Sequence, residues 1–550
     1  MDNQRLILFL ALSMVLMLLW QAWEEQHAPP PPIAMTAPAP GQPTGNHGDV
    51  PAPPKTADGT LPPTPRADVA VVQSGKRITV TTDLYIAEID TLGGDLRRLG
   101  LRKQPVSISQ PEVPFELLSE SGTDIFLTQT GLVAHNADLP NHKSTYNVVK
   151  DQYVLEPGQD SIQVPLSWSG PDGLSVVKTF TFHRDSYAVK LDYAIHNAGK
   201  KTVDAYFYAQ LLRSYVQQHS LLSAAPSYVG AAIYSPEKKY EKITFDEMTK
   251  KPLEREVKGG WVAMLQHYFV GAWMPPADST DTFYGKTLND GLHVIGYKTA
   301  NPSKVLPGQD VDISTTLYAG PKEHKRLLRQ AEGMTLTVDY GWLTIIASPL
   351  FILLHYIHSW VGNWGWSIIL VTILIKLVFY PLSAASYKSM ANMRRVQPKM
   401  QSIKERYPDD KQKQQQAMME LYKTEKINPL GGCLPIAIQI PVFISLYWVL
   451  LESVEMRQAP FALWIHDLSS ADPYFVLPVL MGISMLVTQL LSPQMGDPLQ
   501  RKVMMALPVV FTVFFAFFPA GLVLYWVVQN LLSIAQQWMI TRQVAASGKK

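Results

Sequence analysis

The sequence predicts a multi-domain molecule: a polytopic α-helical membrane bundle of six transmembrane helices that carries a large all-β sandwich domain on the periplasmic side. Three observations predict it. Apolar residues concentrate near the start and in the last 210 of the 550 residues, while residues 68–333 alternate polar and apolar side chains in short runs. A stretch dense in proline and alanine separates the first apolar segment from the alternating region. The net charge of +2 argues against a domain-wide basic surface, so sequence-specific nucleic-acid binding is not expected.

The chain opens MDNQRLILFLALSMVLMLLWQAWEEQ, with Arg5 ahead of the apolar run and Trp20 and Trp23 at its far end. No small-x-small site precedes Glu24, so residues 1–27 read as an uncleaved signal anchor. Residues 28–67 cannot bury a core and read as an extended linker. Between 68 and 333, VVKTFTFHRDSYAVKLDY reads as a hairpin turning at Arg184 to Ser186, with Val189, Leu191, Tyr193 and Ile195 on one face of a strand. Turn signals such as LGGD, PDG and PGQD recur, and helical periodicity is confined to a stretch near 321–333.

After Tyr340 the texture changes. Segments 364–384, 430–451, 473–492, 504–518 and 520–540 each have spanning length and apolarity, and with the anchor they make six spans. FFPAGL supplies the turn between the last two. The loop 385–428 carries ten basic residues, Arg394, Arg395 and Lys399 among them, against five acidic ones, which places it in the cytoplasm. Segment 334–363, though apolar, would reverse that topology as a span and reads as an amphipathic helix in the periplasmic interface. Residues 542–550 form a short basic tail, so both termini are cytoplasmic and the β domain is periplasmic.

The chemistry concentrates on one residue. Within SIILVTILIKLVFYPL, Lys376 stands where a charge costs roughly 2.5 to 3.5 kcal/mol on insertion scales. Its distance of about eight residues from the polar end near Ala384, roughly 12 Å of helix, exceeds what snorkelling reaches. No acidic residue stands in another span to pair with it, which leaves a hydrated cavity open towards the cytoplasm. Thr372 shares its helical face, and Gln439, Thr488, Gln489, Gln529 and Asn530 offer neutral polar neighbours. In the cytoplasmic loop, Tyr407-Pro408-Asp409-Asp410 divides two helices whose methionines, Met418 and Met419 included, suit an adaptable partner surface. His355 and His358 lack a third ligand nearby, the lone Cys433 sits in an apolar context, and no nucleotide or metal motif appears, so no cofactor is expected and the chain does not read as an enzyme, with a carboxylate pair in the β domain the one catalytic option the residues leave open.

These motifs, WGWSIILVTILIKLVFYPL, YKSMANMRRVQPKMQ, NPLGGCLPIAIQIPVFISLYWVL, RQAPFALWIHDLS and FPAGLVLYWVVQN, resemble those of the YidC membrane protein insertases in their Gram-negative form, and the resemblance runs the whole chain. It implies a β-supersandwich at 68–333 and an insertase core at 364–541, with a hydrophilic groove open to cytoplasm and lipid. Lys376 falls where the family places its groove cation, commonly arginine. Thr372 and Trp526 match groove positions, and Gln439 and Gln529 join them. Phe443 and Phe514 match an apolar slide. The implied activity is insertion and folding of newly made proteins in the bacterial inner membrane, alone or with the Sec translocon. Ribosome and signal-recognition-particle contacts would fall on the cytoplasmic loops, with membrane lipid as the other partner. The alternative from the residues alone is a secondary transporter or channel using Lys376 in a solute pathway.

Overall fold

The computed structural model describes residue 51 and residues 74–120, 125–214, 228–408, 410–425, 434–491 and 498–547. The expected anchor at 1–27, nearly all of the linker at 28–67 and Cys433 lie outside the described residues.

Strands run from Arg77 to Pro321 in three sheets. Their local chemistry is period-two burial. In Ala188–Asn197 every second side chain is buried, and Val189, Leu191, Tyr193 and Ile195 are at most 1 % exposed. This strand pairs with Leu174–His183 through Phe182 and Val189, and Asp185 takes φ 51° at the turn, as the alternation predicts. The hairpin lies towards one edge of an eight-stranded antiparallel sheet. A six-stranded sheet is built round Val203–Arg213, and a five-stranded sheet runs from Gln110–Leu118 at one edge to Gln152–Val154, which pairs in parallel with Arg77–Thr81.

Both smaller sheets pack on the eight-stranded one. Trp273 Nε1 donates to the Gln210 carbonyl at 3.2 Å and Tyr297 donates to Thr315 at 2.6 Å. The Tyr85 hydroxyl lies 2.8 and 2.6 Å from the carbonyls of Tyr187 and Ala319. Each tyrosine or tryptophan thus buries its ring and still satisfies its polar atom. Two short helices complete the domain, α1 (Phe245–Lys250), closed by a Thr244–Glu247 capping box, and α2 (His324–Leu327). The helical stretch expected at 321–333 therefore shrinks to one turn. It ends at Leu328, and Gly333, at φ 75° with a Cβ position 2.2 Å from the Tyr234 ring, lies beyond it and opens the turn Met334–Thr337.

The C-terminal region is helical: α3 (Thr344–Val361), α4 (Trp364–Val378), α5 (Tyr380–Arg406), α6 (Lys411–Thr424), α7 (Leu434–Glu452), α8 (Val476–Leu491), α9 (Pro498–Phe515) and α10 (Ala520–Ser547). Among the described residues, Gly341–Val361 is long and apolar enough to cross a bilayer by length and composition. Gln439–Glu452, Val476–Leu491 and Val503–Phe515 are shorter apolar helices. The expected single span at 364–384 is broken. α4 and α5 meet at Phe379 with a bend of 67°. Pro381 explains the break, because it has no N–H for the Leu377 carbonyl and its ring crowds that turn. Lys376 consequently lies in the last turn of a 15-residue helix and not deep in an uninterrupted one.

The β domain is seated on the segment 453–473 that follows α7. Arg457 donates to the carbonyls of Pro105 and Val106 at 2.6 and 3.3 Å and lies over the rings of Phe115 and Phe269. His267 Nε2 meets the Leu451 carbonyl at 3.0 Å, and the His324 amide donates to Glu455 at 3.3 Å. Lys322 stands 4.0 Å from Glu452. The turn between α9 and α10 is tied to the same segment by Ala520 N to Ser470 O at 2.7 Å and Gly521 N to Leu468 O at 2.9 Å.

Candidate substrate groove

Helices α5, α7, α8 and α10 enclose a cavity of about 310 Å³. The bend at Phe379 starts α5 at the angle that turns Ser383, Ser386 and Tyr387 into it. These three fall at i, i+3 and i+4 and share one helical face. α7 contributes Gln439 and Phe443, α8 contributes Thr488, and α10 contributes Trp526, Gln529, Asn530 and Ser533. Tight helix contact is possible on the far side of α8 because Gly482 faces Thr512 of α9, whose hydroxyl would sit 1.9 Å from an added Cβ.

Lys376 reaches the wall of the cavity through Ser533. Its Nζ donates to Ser533 Oγ at 2.9 Å, and that hydroxyl donates to the Gln529 carbonyl at 2.7 Å. The residue is 7 % exposed, and among the described residues no carboxylate lies within ion-pairing distance of it. Gln529 Nε2 donates to Gln439 Oε1 at 3.2 Å, and Asn530 donates to Ser484 at 2.9 Å. The buried Oε1 atoms of Gln529 and Gln537 and Oγ of Ser383 find no protein partner among the described residues. A cavity of this size with such a lining admits water, which can supply the partners those atoms lack. One wall is aromatic: Trp526 sits edge-on to Phe443 at 4.6 Å and to Phe515 at 4.7 Å.

Of the residues singled out from sequence, Gln439, Gln529, Trp526 and Phe443 thus stand round one cavity, with Lys376 joined through Ser533. Thr372 does not. It is fully buried, and its hydroxyl donates to the Ile368 carbonyl of its own helix at 2.6 Å. Phe514 lies outside it, 53 % exposed, with its ring 4.8 Å from Phe518. Met418 packs inside the α5–α6 hairpin against Met393, Val396 and Met400, whereas Met419 is exposed. Lys399 and Arg395 both face Glu425, at 2.6 and 3.8 Å. The Arg394 side chain lies outside the described residues. Ser383, Ser386, Tyr387 and Ser533 were not foreseen. The polar stripe Ser383, Ser386, Tyr387 was there to be read had helical spacing been applied past the apolar run.

The family model described as YidC periplasmic domain matches residues 77–353, half of the chain, and the model described as 60Kd inner membrane protein matches residues 356–547. A protein of Methylobacillus flagellatus named membrane protein insertase YidC is 48 % identical over 558 residues, covering 100 % of this chain and 99 % of its own. The chain belongs to the YidC family of membrane protein insertases. A YidC of Alkalilimnicola ehrlichii is 49 % identical over 551 residues, covering 99 % of this chain and 96 % of its own. A crystal structure described as an active YidC insertase with its first transmembrane domain resolved covers 84 % of this chain and 92 % of its own, at 19 % identity and a TM-score of 0.39. In this YidC chain the two matched regions meet at α3, so the β sandwich and the helical region correspond to the two family models.

Proposed function

We propose that the cavity beside Lys376 is the groove through which this insertase brings polar segments of newly made proteins into the inner membrane. The single observation that carries the reading is a buried lysine bonded to a hydroxyl at the edge of a polar cavity, where a structural lysine would have a carboxylate. A hydrophilic, often acidic segment enters from the cytoplasm. There water and Lys376 lower the cost of moving its polar groups out of bulk solvent. The hydrophobic segment then passes into lipid along Phe443 of α7 and Phe514 of α9, and burial of its apolar surface in the bilayer drives the step. No nucleotide hydrolysis enters this scheme.

In this reading the anchor at 1–27 and the core at 364–541 give six spans with both termini cytoplasmic, the β domain at 68–333 lies in the periplasm, and 334–363 lies along the interface. On this orientation the polar stripe that follows the α4–α5 bend falls in the cytoplasmic half. The exposed Met419 with Arg394, Arg395 and Lys399 suits contacts with ribosome or signal-recognition-particle components, and the Sec translocon assists with larger clients. The alternative of a secondary transporter or channel finds no support among the relatives, which are named insertases. The test is crosslinking of a stalled nascent chain to probes at Phe443 and Phe514. Adducts to both support the route, and their absence with an active protein contradicts it.

A further inference from the structure

The hairpin formed by Asp95–Ser107 and Gln110–Leu118 carries exposed apolar side chains at its tip. Ser107 pairs with Gln110, so the tip is a two-residue turn, Ile108–Ser109. Here the first turn residue is isoleucine, 46 % exposed, flanked by Val106 and Val113, each 47 % exposed. Three half-exposed aliphatic side chains grouped at one hairpin tip point to an apolar partner.

The partner's position follows from what the tip touches. Arg457 holds the carbonyls of Pro105 and Val106 over the end of α7. Val106 and Ile108 line a cavity of about 810 Å³ together with Phe517 and Pro519 of the turn between α9 and α10, and with Ala471 and Pro473 just before α8. The tip therefore sits level with the β-domain ends of α7, α8, α9 and α10. At those ends Leu463, Tyr474 and Phe475 are also exposed, as is Phe517. Aromatic and aliphatic residues at helix ends mark the lipid–water boundary, and the hairpin continues that band. A polypeptide partner added along the sheet edge is disfavoured, because the edge strand carries Pro111 and Pro114, which have no N–H to offer.

We infer that the hairpin tip Val106–Ile108 with Val113 dips into the periplasmic leaflet, so that the β domain is held to lipid as well as to the 453–473 segment. Burying three half-exposed aliphatic side chains in the leaflet is favourable in proportion to their apolar area. The inference rests on the proposed membrane orientation of the core.

The test uses the full chain with Cys433 replaced by serine and a single cysteine introduced by Ile108→Cys, labelled with bimane. The protein is reconstituted in vesicles of phosphatidylethanolamine and phosphatidylglycerol containing brominated acyl chains. A second reporter is Val113→Cys. Leu374→Cys, half-exposed on α4, reports the core, and Val149→Cys, 90 % exposed elsewhere in the β domain, reports solvent. Loss of emission at 108 and 113, near the loss at 374 and absent at 149, is the expected result. Quenching at 374 with none at 108 and 113 overturns the inference and leaves the membrane reading intact. No quenching at 374 overturns the membrane reading itself. Equal quenching at 149 also overturns the inference, since the whole domain would then lie on lipid.

Discussion

Two buried lysines, one in each half of the molecule, are kept in opposite ways. In the β domain Lys178 is fully buried, and its Nζ donates to the Gly93 carbonyl at 3.0 Å. It stands 3.9 Å from Asp95 and lies over the rings of Tyr146, Phe180 and Tyr193 at 5.4 to 5.6 Å. Burial pushes it down to about 8 against the opposing pull of Asp95. In the helical core Lys376 has one hydroxyl and a polar cavity. The difference separates a charge held for the fold from one held for a client: the first has its counter-charge built in, the second leaves that place open.

The largest expected effect follows from removing each charge in turn. Lys178→Met removes one of the two buried cations beside Asp95, leaving Arg97 at 3.6 Å, and should cost the β domain roughly 1–3 kcal/mol, read from urea unfolding followed by the buried Trp261 and Trp273. Lys376→Met strands no carboxylate and should leave the melting temperature unchanged or raised while insertion falls. Equal destabilisation by the two would break the comparison. Next in size, Gly482→Leu must push α8 away from Thr512 and should cost roughly 1–3 kcal/mol in thermal stability in detergent.

The smallest effects are pH-dependent and lie at the seam between the halves. Burial, with Lys322 nearby, lowers His267 to about 4. Its contribution to docking is therefore present above its ordinary value of 6.5 and is lost as pH falls through about 4. Burial raises Glu455 to about 7, which gives the opposite sign: its contribution is present below its ordinary 4.5 and is lost as pH rises through about 7. Hydrogen exchange in residues 453–458 should therefore lose its acid-side rise in His267→Gln and its rise towards neutral pH in Glu455→Gln. Unchanged profiles in both variants would remove these groups from the seam.

Much of this is legible in the sequence. Alternation in VKLDYAIHN fixed a strand face, because period two has no other interpretation, and the turn at Arg184–Ser186 followed from it. Gln439 and Gln529 are legible because polar residues in apolar helices are few, and Trp526 because its position matches the family's motif. The bend at Phe379 was not legible. Hydropathy runs smoothly across it, and Pro381 signals a break only once its lost hydrogen bond is counted. That omission misplaced the depth of Lys376. The stripe Ser383, Ser386 and Tyr387 is legible from its helical spacing, but that it faces the cavity depends on the change of direction of α5. Thr372 rests on helical spacing and on the family resemblance, yet a threonine hydroxyl can bond its own helix, and here it does. Ser533 could not be found from sequence, since its role depends on a contact across 157 positions.

The central claim is that Lys376 serves a client's charge and not the fold. It is tested most directly by insertion of a substrate with an acidic translocated segment into proteoliposomes holding Lys376→Glu or Lys376→Arg protein. The glutamate variant should lose about tenfold or more in insertion rate, at least ~1.4 kcal/mol, while remaining folded, and the arginine variant should keep the activity. Normal insertion by the glutamate variant would contradict the account.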